Sequence, residues 1–205
     1  MKTIVCLLMG YLLGSANPAA LISRVKKEDL RKKGTGNLGA SNTMLIFGKK
    51  LGALVMIFDI AKAWCASKLA QLLFPQLHLA GLTAGLGAVL GHVFPFYMKF
   101  RGGKGLAAFG GMVLAYDPRM FCVLLLFGLI LMITVNYSAV MPISAGILFP
   151  ALTLLKTHDL GAFLIAVLAG VLVIVKHAGN LIKGRNGEDI DIRLFIKEQI
   201  LHRSH

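Results

Sequence analysis

Phe96-Tyr97-Met98-Lys99-Phe100-Arg101-Gly102-Gly103-Lys104-Gly105 is the stretch on which the reading of this chain turns. Three glycines and three cations fall between Lys99 and Gly105, yet the stretch is flanked by apolar runs in a chain that is 57% hydrophobic. Glycine lets backbone N–H groups approach a ligand, and lysine supplies a point charge. Together they suit a phosphate or another compact anion. A basic loop is also what any cytoplasmic connection of a membrane protein carries. Lys104 is followed by glycine rather than serine or threonine, so the stretch is not a P-loop.

Outward from this loop, apolar runs recur along the whole chain. They cover Thr3–Ser23, Leu51–Phe74, Leu77–Phe94, Leu106–Ala115, Arg119–Val135, Ala139–Leu155 and Leu160–Val175. A membrane-crossing helix needs about 20 residues, so the fourth is short. The connections Tyr116–Arg119 and Lys156–Asp159 are tight and favour antiparallel neighbours. The expected fold is an all-α integral membrane protein. It is a seven-helix transmembrane bundle with a short fourth helix, one domain over residues 1–205.

Charge gives the orientation. The 22 Lys and Arg against 9 Asp and Glu leave a net charge of +13, and almost no cation falls inside an apolar run. Arg24, Lys26, Lys27, Arg31, Lys32, Lys33, Lys49 and Lys50 fill the first long loop, and Lys99, Arg101 and Lys104 the glycine loop. Lys176, Lys183, Arg185, Arg193, Lys197 and Arg203 follow the last run, whereas the other side holds only Lys2, Arg119 and Lys156. By the positive-inside rule the N-terminus lies outside, and the three basic regions and the C-terminus are cytoplasmic. Nucleic-acid binding would want a basic face on a soluble domain, and no such domain is present. Met1-Lys2, an apolar run and Gly14-Ser15-Ala16 imitate a cleavable signal. Cleavage would put the basic loop outside, so the run is read as a retained first helix.

Polar constellations sit on the basic side. Gly34-Thr35-Gly36-Asn37-Leu38-Gly39-Ala40-Ser41-Asn42 is too rich in glycine for a helix interior and can offer N–H, hydroxyl and amide groups to a polyol or an anion. Ser15-Ala16-Asn17-Pro18 interrupts the first helix, either as a simple kink or as broken backbone lining a polar cavity. Asp59 and Lys62 share one face of the second helix and read as a structural pair. His92 follows Gly91; His177, Asn180 and Glu188 close the chain's polar set, with groups suited to acid–base or polyol-binding work. No His is followed five residues later by Asp, and no serine-hydrolase motif is present. Cys6, Cys65 and Cys122 lie inside apolar runs, unspaced for metal or redox work.

With these residues in hand, the pattern resembles the bacterial acyl-phosphate:glycerol-3-phosphate acyltransferases of the PlsY type, over nearly the whole chain. Gly34–Asn42 is similar to the family's first motif. Gly91-His92-Val93-Phe94-Pro95 with Phe100–Gly105 is similar to its second, and His177, Asn180 and Glu188 to its third. Two arginines usual in the family are replaced, one by an apolar residue near Leu45 and one by Asn136 before Tyr137.

The resemblance implies transfer of a fatty acyl group from acyl phosphate to the 1-hydroxyl of glycerol 3-phosphate, without metal or cofactor. It implies that Lys104, Gly102, Gly103 and Gly105 bind a phosphate and that Thr35, Asn37, Ser41 and Asn42 hold the glycerol and its phosphate. His92, Arg101, Asn136 and Glu188 join the substrate-binding set. His177 and Asn180 orient or deprotonate the attacking hydroxyl, and the acceptor's own phosphate is the other candidate base. The partners implied are the two substrates, membrane lipid, no nucleic acid, and a functional link to a peripheral enzyme that makes acyl phosphate. The location implied is the bacterial plasma (inner) membrane, multi-pass, with the active site facing the cytoplasm. A transporter for a small organophosphate would use the same loops. The polar motifs cluster on one face, however, and no half-to-half repeat is visible.

Overall fold

Helices that are apolar all round choose their neighbours by shape, because lipid is as apolar as they are. The computed structural model describes residues 1–185 and 192–194, with side chains for 1–180 and 192–194. Its helices are α1 (Lys2–Ser15), α2 (Pro18–Val25), α3 (Ala40–Phe47), α4 (Lys49–Leu73), α5 (Ala80–Val93), α6 (Leu106–Tyr116), α7 (Pro118–Val135), α8 (Val140–Thr157) and α9 (Leu160–Arg185). Single 3₁₀ turns lie at Leu30–Lys32 and Phe96–Met98.

Packing is carried by small residues. α1 and α5 run parallel at backbone contact: a Cβ on Gly14 would lie 2.1 Å from the Ala88 carbonyl oxygen, and one on Gly91 2.1 Å from that of Tyr11. Alanines 63, 66, 84, 88, 162, 166 and 169 are buried, whereas Leu8, Leu12, Phe58, Leu72, Leu126, Ile130, Leu164 and Leu168 face outward. A small-residue interior under an apolar exterior is the packing expected in lipid. Phe149 anchors the centre, edge-on to Phe109 and Tyr116 at 5.5 and 5.8 Å between centroids. Among the described residues, Lys2–Val25, Ala80–Met98, Pro118–Val135, Val140–Thr157 and Leu160–Asn180 are long and apolar enough to cross a membrane. The chain is an all-helical membrane protein.

The interruption in the first helix is a full break. Pro18 stands in the first turn of α2, and the Asn17 side chain accepts from the Ala20 N–H at 2.8 Å. Proline there loses nothing, since that N–H has no intrahelical partner in any helix. α3 begins at Ala40, so Ser41 and Asn42 occupy a helical first turn rather than an open loop. α9 runs ten residues past Val175, which puts His177 and Asn180 on a helix. α6 has 11 residues and starts directly at the glycine loop.

The end of the bundle away from the motifs is held by caps. Asp117 accepts from the Arg119 and Met120 N–H groups at 2.8 and 3.2 Å and pairs with Lys156. The Lys156 hydrogen bond, helped by those two N–H groups, holds the Asp117 carboxyl below the usual carboxylate range. A depressed folded pKa contributes stability that is present above the unfolded value and lost as pH falls through the folded one. Asp117→Ala should therefore lower stability by about 1–2 kcal/mol at neutral pH. Thermal unfolding in detergent should show this deficit shrink as the pH drops through the carboxylate range.

Candidate active site

The glycine loop folds back onto the carboxyl end of α5. The Gly102 N–H donates to the Val93 carbonyl at 3.0 Å and the Gly103 N–H to that of His92 at 3.1 Å. These bonds satisfy carbonyls that the last turn of a helix leaves open. They also correct one expectation: the N–H groups of Gly102 and Gly103 are spent on α5 and are not turned to an anion. The two glycines allow close approach instead. A Cβ on Gly102 would lie 2.0 Å from the His92 carbonyl oxygen, and one on Gly103 2.2 Å from His92 Nε2.

The first motif lies against this loop. Arg31 Nη2 donates to the Arg101 carbonyl at 3.0 Å, and the Leu38 carbonyl oxygen would be 2.9 Å from a Cβ on Gly103. Asn42, expected at the substrate, is fully buried and saturated. Its amide donates to the Leu30 and Lys33 carbonyls at 2.9 and 3.1 Å, and its oxygen accepts from the Thr35 N–H at 2.8 Å. It braces the loop from within. Thr35 and Ser41 are exposed and Asn37 is half-buried, so their side chains are available to a ligand.

α9 supplies the third side. Asn180 Oδ1 accepts from Lys104 Nζ, Asn180 Nδ2 is 3.4 Å from Ser138 Oγ, and the Tyr137 hydroxyl donates to the Asn180 carbonyl at 2.9 Å. His177, buried, has Nδ1 at 2.8 Å from the Val173 carbonyl oxygen. A carbonyl only accepts, so Nδ1 carries the proton and Nε2 keeps its lone pair. A cation, an amide and an imidazole with an open basic nitrogen thus stand together where the second and third motifs meet. Gly105, at φ +90°, turns the chain into α6 beside them.

Not every expected residue joins this group. Asn136, left-handed at φ +57°, ends α7 and accepts from the Arg193 N–H at 3.0 Å. The Arg101 side chain is exposed. Glu188 lies outside the described residues. Sequence reasoning gave Tyr137 no role beyond its place after Asn136 in the family comparison, and it missed Ser138, whose only signal is its place just after a helix-ending asparagine. It also missed the reach of Asp59 and Lys62: they pair at 2.7 Å, 1% and 8% exposed, and both meet His92. A cavity of about 890 Å³ opens beside the site, lined by Arg24, Lys27, Arg31, Lys99 and Arg101 among others. Lys104, Asn180 and His177 do not line it.

At the end of a bundle of apolar helices, this arrangement is a polar site whose lysine, amide and imidazole suit an anionic ligand and proton transfer. The family model described as Glycerol-3-phosphate acyltransferase matches residues 4–187. A glycerol-3-phosphate acyltransferase of Macrococcus caseolyticus is 34% identical over 185 residues, which is 88% of this chain and 92% of that protein. The Bacillus subtilis protein of that name is 33% identical over 176 residues, 85% of this chain and 90% of its own length. The crystal structure of PlsY (YgiH), an integral membrane glycerol 3-phosphate acyltransferase in its glycerol 3-phosphate form, superposes with a TM-score of 0.89 at 28% identity, covering 99% of this chain and all of that one. The chain belongs to the glycerol-3-phosphate acyltransferase family. It is an acyltransferase enzyme.

Lys104→Ala removes a charge-assisted contact of about 1.5–3 kcal/mol. The KM for glycerol 3-phosphate should rise about ten-fold or more in a steady-state assay. Gly103→Ala should raise it too, because the new methyl group displaces the His92 ring. Two unchanged KM values would remove this loop from the site.

Proposed function

We propose that the acyl donor is acyl phosphate and that the active site faces the cytoplasm of a bacterial inner membrane. The observation that supports acyl transfer to a hydroxyl here is the His177 tautomer: with Nδ1 committed to Val173, Nε2 is an acceptor beside the Lys104–Asn180 pair. The 1-hydroxyl of glycerol 3-phosphate attacks the acyl carbon, the bond from that carbon to the phosphate oxygen breaks, and phosphate leaves. The hydroxyl proton goes to His177 Nε2 or to the acceptor's own phosphate, whose second pKa is about 6. Lys104 balances phosphate charge, and Asn180 with Ser138 holds Lys104 in place. Thr35, Asn37 and Ser41 contact the glycerol. Acyl phosphate already carries a good leaving group, so no acyl-enzyme is required. The enzyme's contribution is positioning and charge stabilisation.

One domain of seven crossings serves this reaction, with the amino end of α1 outside. Support comes from the alternation of the helix ends. α1, α5, α7 and α9 finish on the motif side, where α4, α6 and α8 begin. The cation-rich loops lie on that same side. A soluble acceptor and a lipid-like donor meet there, and a peripheral enzyme that makes acyl phosphate would deliver its product at that surface.

The purified chain should transfer acyl groups from acyl phosphate to glycerol 3-phosphate with no partner and no loss in EDTA. His177→Ala should lower kcat by about 10²-fold or more if the imidazole takes the proton. If the acceptor phosphate is the base, the loss is smaller and the pH–rate profile keeps that phosphate's pKa. Exclusive use of acyl-CoA would overturn the reading. For orientation, a cysteine placed at Lys33 in whole cells should resist an impermeant thiol reagent; labelling from outside would reverse the topology.

A further inference from the structure

His92 is 3% exposed and is held on one ring edge only. Its Nδ1 lies 3.0 Å from Lys62 Nζ and 3.3 Å from Asp59 Oδ1. Lys62 Nζ also donates to the Ala16 carbonyl at 2.6 Å, the carbonyl set free where α1 breaks, and pairs with Asp59 Oδ1 at 2.7 Å. An ammonium has three N–H donors and no lone pair. A nitrogen facing it at 3.0 Å must therefore accept. Burying a net charge among these helices is costly, and an ionised Asp59 with an ionised Lys62 and a neutral His92 sums to zero. The charge sum makes the ring neutral, and the ammonium leaves Nδ1 bare, so the one imidazole proton sits on Nε2. That nitrogen bonds to none of the described residues, and it lies against Gly103, where a Cβ would come within 2.2 Å of it. An N–H with no partner among the described residues, at the foot of a glycine loop, is open to an acceptor brought by a ligand.

We propose that His92 Nε2–H is a hydrogen-bond donor to a substrate phosphate oxygen, and that Asp59 and Lys62 are positioning residues that lock the tautomer making it one. The inference rests on the reading that a phosphate ester binds at this loop. It gives the pair a task beyond holding helices together. The two histidines then act in opposite senses: His177 offers a lone pair and His92 an N–H. The phosphate contacted belongs either to glycerol 3-phosphate or to acyl phosphate; the chemistry is the same, and kinetics separates them.

The test uses the full chain in nanodiscs with ¹⁵N-labelled histidine. The His92 signals are assigned by their loss in His92→Gln. Nδ1 should appear unprotonated and Nε2 protonated, and inorganic phosphate should shift Nε2 in preference to Nδ1. A proton on Nδ1, or no response to phosphate, overturns the proposal. Two variants add a functional readout that a packing role would not produce. Glutamine places its amide nitrogen where Nε2 stands, whereas asparagine keeps only the Nδ1 position. His92→Asn should raise KM about ten-fold or more, for glycerol 3-phosphate or for acyl phosphate, with kcat little changed. His92→Gln should restore KM to within a few-fold. Equal KM values for the two variants would overturn the proposal. If one variant fails to fold, the other assigns the His92 signals by their loss, and the wild-type spectra then decide the question. A wild-type protein that does not use acyl phosphate would fail the donor assignment and leave the spectra standing.

Discussion

The buried ammonium of Lys62 is the constraint on which the arrangement of this enzyme depends. It joins three pieces that sequence separates: the open carbonyl of Ala16 at the broken end of α1, the Asp59 carboxylate one turn earlier on α4, and the His92 ring at the end of α5. Transfer of an unpaired charge to a low-dielectric interior costs several kcal/mol, so the three partners are needed together. The α1 break would otherwise leave carbonyls without donors at membrane depth. Tyr97 adds a second tie to the break, its hydroxyl donating to the Ser15 carbonyl at 2.6 Å. Through the His92 carbonyl and ring, the same cluster sets the height of Gly103 and the direction in which Lys104 leaves the loop.

Close helix packing makes that cluster rigid. Where α1 meets α5, glycine brings backbone to backbone, and no side chain is there to yield. Packing without free volume transmits position well. A loop anchored to the end of α5 is therefore placed relative to α1 and α4 with little play. α9 approaches independently and contributes His177 and Asn180 three residues apart on one face. The site forms where these two bodies meet, and Lys104–Asn180 is the contact that closes it.

Much of this was legible in the sequence because membrane helices and positive loops leave strong signals. The apolar runs gave helix ends within a few residues at α4, α6 and α7, since charges and Asp-Pro cap signals mark them. α9 ran longer than its apolar run because amphipathic residues such as Lys176 extend past the apolar zone, here with Nζ 4.4 Å from the Phe94 ring centre. Residue type identified Lys104, His177 and Asn180. It did not reveal how each backbone N–H is used. Gly102 and Gly103 looked like anion donors, yet their N–H groups cap α5, and Asn42 looked like a ligand group, yet it staples its own loop. Hydrogen-bond partners far apart in the chain have no sequence signature. For that reason Asp59 and Lys62 read as a local pair when His92, thirty residues on from Lys62, belongs with them.

The central claim is spatial: the acceptor's phosphate is held by Lys104 at the junction of the glycine loop and α9, and not in the basic cavity beside it. A crystal structure of this chain with glycerol 3-phosphate measures that directly. The phosphate should lie within hydrogen-bond distance of Lys104 Nζ, with the 1-hydroxyl directed toward His177 Nε2. A phosphate seated among Arg24, Lys27 and Lys99, out of reach of Lys104, would contradict it.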